Sequence, residues 1–353
     1  MAAAKTGDKS KEKEDASMKT KSAWMVGGVV MLSILILGVP CSAQEITWKM
    51  AGVWGPGDAS FLPEKFAKDI TEKSGGRLKV ITYPSGQLYG SQDMFGAVQK
   101  GLVQACEIPT GYWGGPIPLY KLPDTPFVLK DNKEWKAWLD GGLWPIWQRE
   151  SEKVGVKSLG MSGWNGLTCF AIYPVRTLED AKGKKWRVYN PTTAAAVQAL
   201  GGSPVTMGFP ETYQALQRGV MDAAFGGVTW AYAYRWHEVG KYVTKVDFGL
   251  PPTGVFANKK AFDELPADLK QIVVDAGLSY MNDGWAVVER FTEAKYKAFK
   301  DEGCTVYILP DAERDRWIAK VRHIWDEEAK KIGPVGLEAM DVYYKVFPAR
   351  RPK

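Results

Sequence analysis

The stretch GKKWRVYNP, Gly183 to Pro191, sets an arginine inside what otherwise reads as a short strand turning into a helix. A guanidinium is a permanent cation with a planar set of donors. On a strand taken by itself a single cation reads as a solvated surface residue, so Arg187 needs support from elsewhere in the chain. Other candidates for chemistry are sparse. There are only two histidines, His237 and His323, and neither has a neighbouring Cys, Asp or Ser pattern that would make it a base. The patterns GxxxxGK[ST], GxGxxG after a strand, HExxH and GxSxG do not occur, so the usual phosphate, dinucleotide, zinc and serine-nucleophile signatures are missing. Carboxylates are plentiful but lie among lysines and arginines, as in DELPADLK and DAERDRW, the pattern of solvated helix faces. These residues point to binding rather than turnover, and no cofactor or metal is expected.

The elements that must position Arg187 alternate in period. EITWKMAGVW carries Ile46, Trp48 and Met50 on one face; SFLPEKFAKDITEKSGG has Phe61, Leu62, Phe66 and Ile70 near helical spacing and stops at Gly75-Gly76. A strand RLKVITYP, a helix SQDMFGAVQKG and a strand LVQACEIP complete a βαβαβ unit. A second unit follows: strand KKWRV, helix TTAAAVQALGG, strand SPVTM, helix PETYQALQRG and strand VMDAAFG. The two echo each other, QKGLVQACE at Gln99 and QRGVMDAAF at Gln217. Such alternation predicts parallel sheets covered by helices, in two similar α/β lobes. Ligands of open α/β sheets lie outside the carboxyl ends of the strands, which places a site in the cleft between the lobes. From Pro266 to about Glu302 the chain reads as one helix of roughly 55 Å, long enough to bridge both lobes, with a bend expected at Gly277 and Gly284.

The chain's start addresses its location. Lys19 and Lys21 precede the apolar run AWMVGGVVMLSILILG, and Cys41-Ser42-Ala43 puts small residues at a cleavage site. This reads as a Sec signal peptide over residues 1–43, with Met18 as the expected start, and the mature protein as periplasmic. Pro40 sits where a lipoprotein anchor at Cys41 would need a small residue. Beyond residue 43 the net charge is +4, too mild to argue for nucleic acid. Cys106, Cys169 and Cys304 are odd in number and widely spaced, which suggests buried small residues rather than a disulfide framework.

The stretch LEDAKGKKWRVYNPTTAAAVQALGGSPVTMGFPETYQALQRGVMDAA, Leu178 to Ala224, resembles the signature of TRAP transporter substrate-binding proteins, the receptors of tripartite ATP-independent periplasmic transporters. SGGRLKVITYPSGQLYGSQDMFGAVQKGLV, LPDTPFVL and FDELPADLKQIVVDAG support it. The resemblance implies an α/β periplasmic-binding-protein fold: two α/β lobes, a ligand cleft between them and a long helix across both. The expected division is 44–165 plus 252–289 for lobe I and 166–251 plus 290–353 for lobe II.

It also implies that Arg187 pairs with the carboxylate of a small organic acid, a pairing that suits the guanidinium's planar fork. Asn190-Pro191 then caps the next helix, whose N-terminus adds attraction for an anion, and Asn190 is expected to join Arg187 among the ligand-binding residues. The implied partners are the small and large membrane subunits of the transporter; a receptor reporting to a membrane sensor kinase is the alternative, and an exported enzyme a third reading. Sialic-acid-type members carry a second arginine where this chain has Leu167, and many members have Glu-Asn or Glu-Trp where this chain has Phe225-Gly226. Trp54, Trp113 and Trp164 fall at strand ends or in Gly-rich loops and, with Phe225, are expected to form an apolar wall. The expected ligand is therefore a monocarboxylate with an apolar or aromatic body.

Overall fold

The computed structural model describes residues 45–55, 57–163 and 165–352. The expected signal peptide and Trp164 lie outside the described residues. Among the described residues no helix is long and apolar enough to cross a membrane.

The first βαβαβ unit consists of β1 (Ile46–Gly52), α1 (Phe61–Lys73), β2 (Leu78–Tyr83), α2 (Met94–Gln99) and β3 (Ala105–Pro109). Strand β1 pairs in parallel with both β2 and β3. Short helices lead to β4 (Val156–Gly163), and the chain crosses to β5 (Leu167–Ala171). The second unit is β6 (Lys185–Val188), α3 (Pro191–Ala199), β7 (Ser203–Thr206), α4 (Phe209–Gln217) and β8 (Ala223–Gly227), with β6 parallel to β7 and β8. The sequence echo is a repeat of structure. Gly101 and Gly219 follow α2 and α4 with φ of 73° and 69°, the left-handed turn that glycine adopts without strain, and β3 and β8 begin four residues later.

Two sheets result, ordered β2-β1-β3-β10-β4 and β11-β9-β5-β8-β6-β7. Here α5 (Val228–Ala233) follows β8, then come β9 (Tyr242–Lys245), β10 (Pro252–Asn258), α6 (Ala267–Asp301) and β11 (Thr305–Ile308). The expectation of purely parallel sheets needs correction. β10 is antiparallel to β3 and β4, and β5 is antiparallel to β8 and β9. The reason is topological: the chain leaves one lobe along β4 into β5 and returns along β9 into β10, so each sheet gains one entering strand, β10 or β5, running against its βαβαβ core.

Helix α6 is continuous over 35 residues. Its early turns pack on β4 and α1, where Tyr280 meets Phe66 edge-on at 6.4 Å, and its last turns reach the second sheet, where Phe299 meets Phe170 at 5.4 Å. The helix runs through Gly277 and Gly284 without a break, and both glycines serve close packing. A Cβ on Gly277 would lie 2.1 Å from the Leu159 carbonyl oxygen, and one on Gly284 would lie 2.3 Å from Ser162 Oγ. The C-terminal helix α7 (Pro334–Val346) docks against the segment 128–143. Trp138 Nε1 donates to Ala339 O, Tyr343 donates to Val128 O, and Arg350 pairs with Glu134 at 2.7 Å. Grouping all of 290–353 with lobe II does not anticipate this contact. Cys106, Cys169 and Cys304 are buried and unbridged, as small core residues should be.

Candidate functional site

Alternation along β6 decides where Arg187 points. Trp186 and Val188 are buried, and the Trp186 ring packs on Phe225 at 4.8 Å and on Trp317 at 6.4 Å, deep in the core of the second lobe. Arg187 projects from the opposite face of the strand. It is 0 % exposed, a rare state for a cation, and β6 lies between β7 and β8.

Two backbone carbonyls orient the guanidinium. Nε donates to Met207 O at 3.0 Å, just beyond β7, and Nη1 donates to Phe225 O at 2.9 Å, in β8. Phe209, Trp236 and Tyr189 surround it, their ring centroids 4.6, 5.3 and 5.5 Å from Cζ. Burial pulls its pKa down, with Tyr112, Tyr189 and Glu211 acting in the other direction. Nη2 is buried and has no hydrogen-bond partner among the described residues.

Two of these rings, Tyr189 and Phe209, also line a gap of about 20 Å³, which Arg187 itself does not line; Pro109, Tyr112 and Thr253 border it from the first lobe, Leu167 and Trp230 from the second. The gap continues toward a pocket of about 370 Å³ between the Ser85–Asp93 loop and the Gly208–Glu211 start of α4. That pocket shares Tyr112, Phe209 and Trp230 with the gap, and its lining holds Asp93 and Glu211 but no basic residue. Beyond Tyr112 and Tyr189 opens a wider cleft of about 1120 Å³, bordered by Lys100, Lys121 and Pro191.

Asn190 caps α3 as expected, its Oδ1 accepting from Thr193 N at 2.8 Å. Its Nδ2 donates to Asp124 Oδ2 at 2.6 Å, a buried tie from the second lobe to the segment following β3. Burial pushes the Asp124 carboxyl up to about 8, against hydrogen bonds from Tyr189 and Asn190. Glu107, on β3, is likewise pushed up to about 8 by burial, with the Tyr280 hydroxyl donating to its Oε1 at 3.1 Å.

Of the residues expected to form an apolar wall, Phe225, Trp113 and Trp54 do not line the gap. The Phe225 ring stacks on Phe248 at 4.1 Å in the core, and only its carbonyl faces Arg187. Trp113 packs on Phe256 at 4.4 Å and on Phe95 at 5.3 Å, inside the first lobe. The Trp54 ring folds back over Gly52, so closely that a Cβ there would overlap it. The aromatics that do line the gap are Tyr112, Tyr189, Phe209 and Trp230. Each stands just past the carboxyl end of a strand of the parallel units, β3, β6, β7 and β8 in turn. That position was the available signal, but strand ends also carry Trp54 and Trp113, whose rings turn inward.

Residues 52–331 match the family model of the bacterial extracellular solute-binding proteins, family 7. A C4-dicarboxylate-binding periplasmic protein of Rhodobacter capsulatus is 28% identical over 326 residues, covering 89% of this chain and 95% of its own. A Bordetella pertussis extracytoplasmic solute receptor solved as binding pyroglutamic acid is 25% identical, with a TM-score of 0.79 over 84% of this chain and 99% of its own. A Sulfitobacter periplasmic solute-binding protein of the TRAP class, solved with β-D-galacturonate, has the same fold at 23% identity and a TM-score of 0.78, covering 84% of this chain and 98% of its own.

Proposed function

We propose a ligand class and an anchor for a chain that belongs to the bacterial extracellular solute-binding proteins of family 7. As a member it is an extracytoplasmic receptor of a TRAP transporter and captures a small organic acid; the family is one of receptors rather than enzymes. Its relatives are transport receptors, and none of those named above favours the sensor-kinase alternative. In our reading Arg187 holds the ligand's carboxylate between the lobes, the ligand is a monocarboxylate with an apolar or aromatic body, and the closed complex delivers it to the small and large membrane subunits.

The observation that carries this reading is the partnerless Nη2 of a fully buried arginine, held by two carbonyls beside two rings that line an aromatic gap. A buried charge needs a counter-charge and hydrogen bonds to offset its desolvation. A carboxylate supplies both. Its body then meets Phe209, Trp230 and Tyr189, where burial stabilises by about 25 cal/mol per Å². A second carboxylate extending into the 370 Å³ pocket would face Asp93 and Glu211 without a cation. The gap of about 20 Å³ holds about one water, so entry requires the lobes or the rings to part.

A thermal-shift screen on ligand-stripped protein tests the class. Benzoate, 4-methyl-2-oxopentanoate and pyroglutamate should raise the melting temperature more than succinate or malate at equal concentration; saturation at 100 times Kd stabilises by about 2.7 kcal/mol. Stronger stabilisation by succinate or malate contradicts the apolar monocarboxylate.

A further inference from the structure

Tyr112 stands in the short helical turn Thr110–Trp113 that follows β3, on the opposite lobe from Arg187. Gly111 sets its position. A Cβ at Gly111 would lie 1.9 Å from Asp124 Oδ2 and 2.9 Å from the Tyr189 ring, so the turn is pressed against its own lobe on one side and the second lobe on the other. The Tyr112 ring lies 6.1 Å from that of Tyr189, and Tyr112 borders the gap and both pockets that meet it.

The Tyr189 ring links Tyr112 to Arg187, 6.1 Å from the Tyr112 ring and 5.5 Å from the guanidinium carbon. The buried Tyr112 hydroxyl and the guanidinium are near enough to interact with each other, and neither that oxygen nor Arg187 Nη2 has any other hydrogen-bond partner among the described residues. Buried polar groups in folded proteins are nearly always paired; core atoms such as Trp135 Nε1 and Trp147 Nε1 are exceptions here too, but among the described residues only at Tyr112 and Arg187 do a hydroxyl and a cation meet next to a gap between the lobes. What two facing donors share is an acceptor with two oxygens. We infer that Tyr112 is the second half of the carboxylate clasp: its hydroxyl donates to one carboxylate oxygen while Arg187 Nη2 donates to the other, so that one ligand group is held by both lobes.

The inference rests on the carboxylate reading above and adds a specificity-determining residue to it. It also supplies a reason for closure, since the anion is fully coordinated only when the first lobe brings Tyr112 to it. No substitution of the ring is needed to test the hydroxyl. In Tyr112→Phe of the ligand-stripped protein, calorimetric affinity for benzoate, 4-methyl-2-oxopentanoate or pyroglutamate, whichever binds wild type most tightly, should fall about tenfold. The ligand-free melting temperature should stay the same or rise, because an unpaired buried hydroxyl is removed, and the ligand-induced decrease in radius of gyration should shrink.

Affinity within twofold of wild type overturns the inference. So does a fall in ligand-free melting temperature of several degrees, the mark of a structural hydroxyl. Arg187→Ala separates the two levels of argument: if it abolishes binding while Tyr112→Phe does not, the anchor stands and the clasp falls. If Arg187→Ala binds as wild type does, or wild type binds none of the three acids, the underlying reading falls and the inference with it.

Discussion

Asp124 and Glu107 are carboxyls that burial pushes up to about 8, which makes them proton reservoirs of the folded state. In the unfolded chain they release their protons near the ordinary values of 3.8 and 4.5. Between those values and about 8 the native protein binds more protons than the unfolded one, so stability is fully present at low pH, falls as pH rises and levels off above about 8. Each group contributes a slope of about 1.4 kcal/mol per pH unit inside its window. Urea unfolding from pH 5 to 8 should therefore show falling stability, and Asp124→Asn should flatten the decline; an identical slope in that variant contradicts the assignment. At this scale the sequence was partly legible. That Arg187 is no solvated surface cation is legible only from the motif around it, since strand periodicity alone cannot distinguish a buried cation from a solvated one. The gap-lining aromatics were not singled out, because which way a ring turns at a strand end is decided by packing partners such as Phe256 for Trp113, distant in sequence.

At Gly277 helix α6 and strand β4 meet backbone to backbone, the glycine against the Leu159 carbonyl. An alanine gains about 1 kcal/mol of helix propensity over glycine, whereas overpacking typically costs 1–3 kcal/mol. The contact is to rigid backbone on both sides, so the clash should win. A Cβ 2.1 Å from a carbonyl oxygen puts the cost at the upper end of that range, so Gly277→Ala is expected to lower stability by about 1–2 kcal/mol, seen as a lower urea midpoint at unchanged m-value. A variant as stable as wild type would mean the helix can lift off β4 without loss. The βαβαβ units and the extent of α6 were readable from apolar spacing, down to the matched glycines after α2 and α4. The antiparallel strands were not, because strand direction depends on how often the chain crosses between lobes and leaves no local pattern. The glycines of α6 read as a weakness for the same reason: the close approach that requires them involves residues more than a hundred positions away.

Across the whole molecule, the two sheets are joined by α6 and by crossing segments that bond to each other, Leu167 N to Gly249 O at 2.8 Å and Phe248 N to Leu167 O at 3.0 Å. Few connections and a lined gap between the sheets suit a hinged receptor. Arg187 comes from the second lobe and Tyr112 from the first, so in the proposed clasp ligand, anchor and closure would form one coupled system. In the proposed function the ligand's negative charge is recognised at Arg187. The most direct measurement is a calorimetric comparison of a bound acid with its own primary amide, in wild type and in Arg187→Ala. Wild type should prefer the acid by at least tenfold, and Arg187→Ala should bind acid and amide with similar, weak affinity, a loss of roughly 2 kcal/mol or more for the acid alone. A variant that keeps the full preference for the acid would contradict the account.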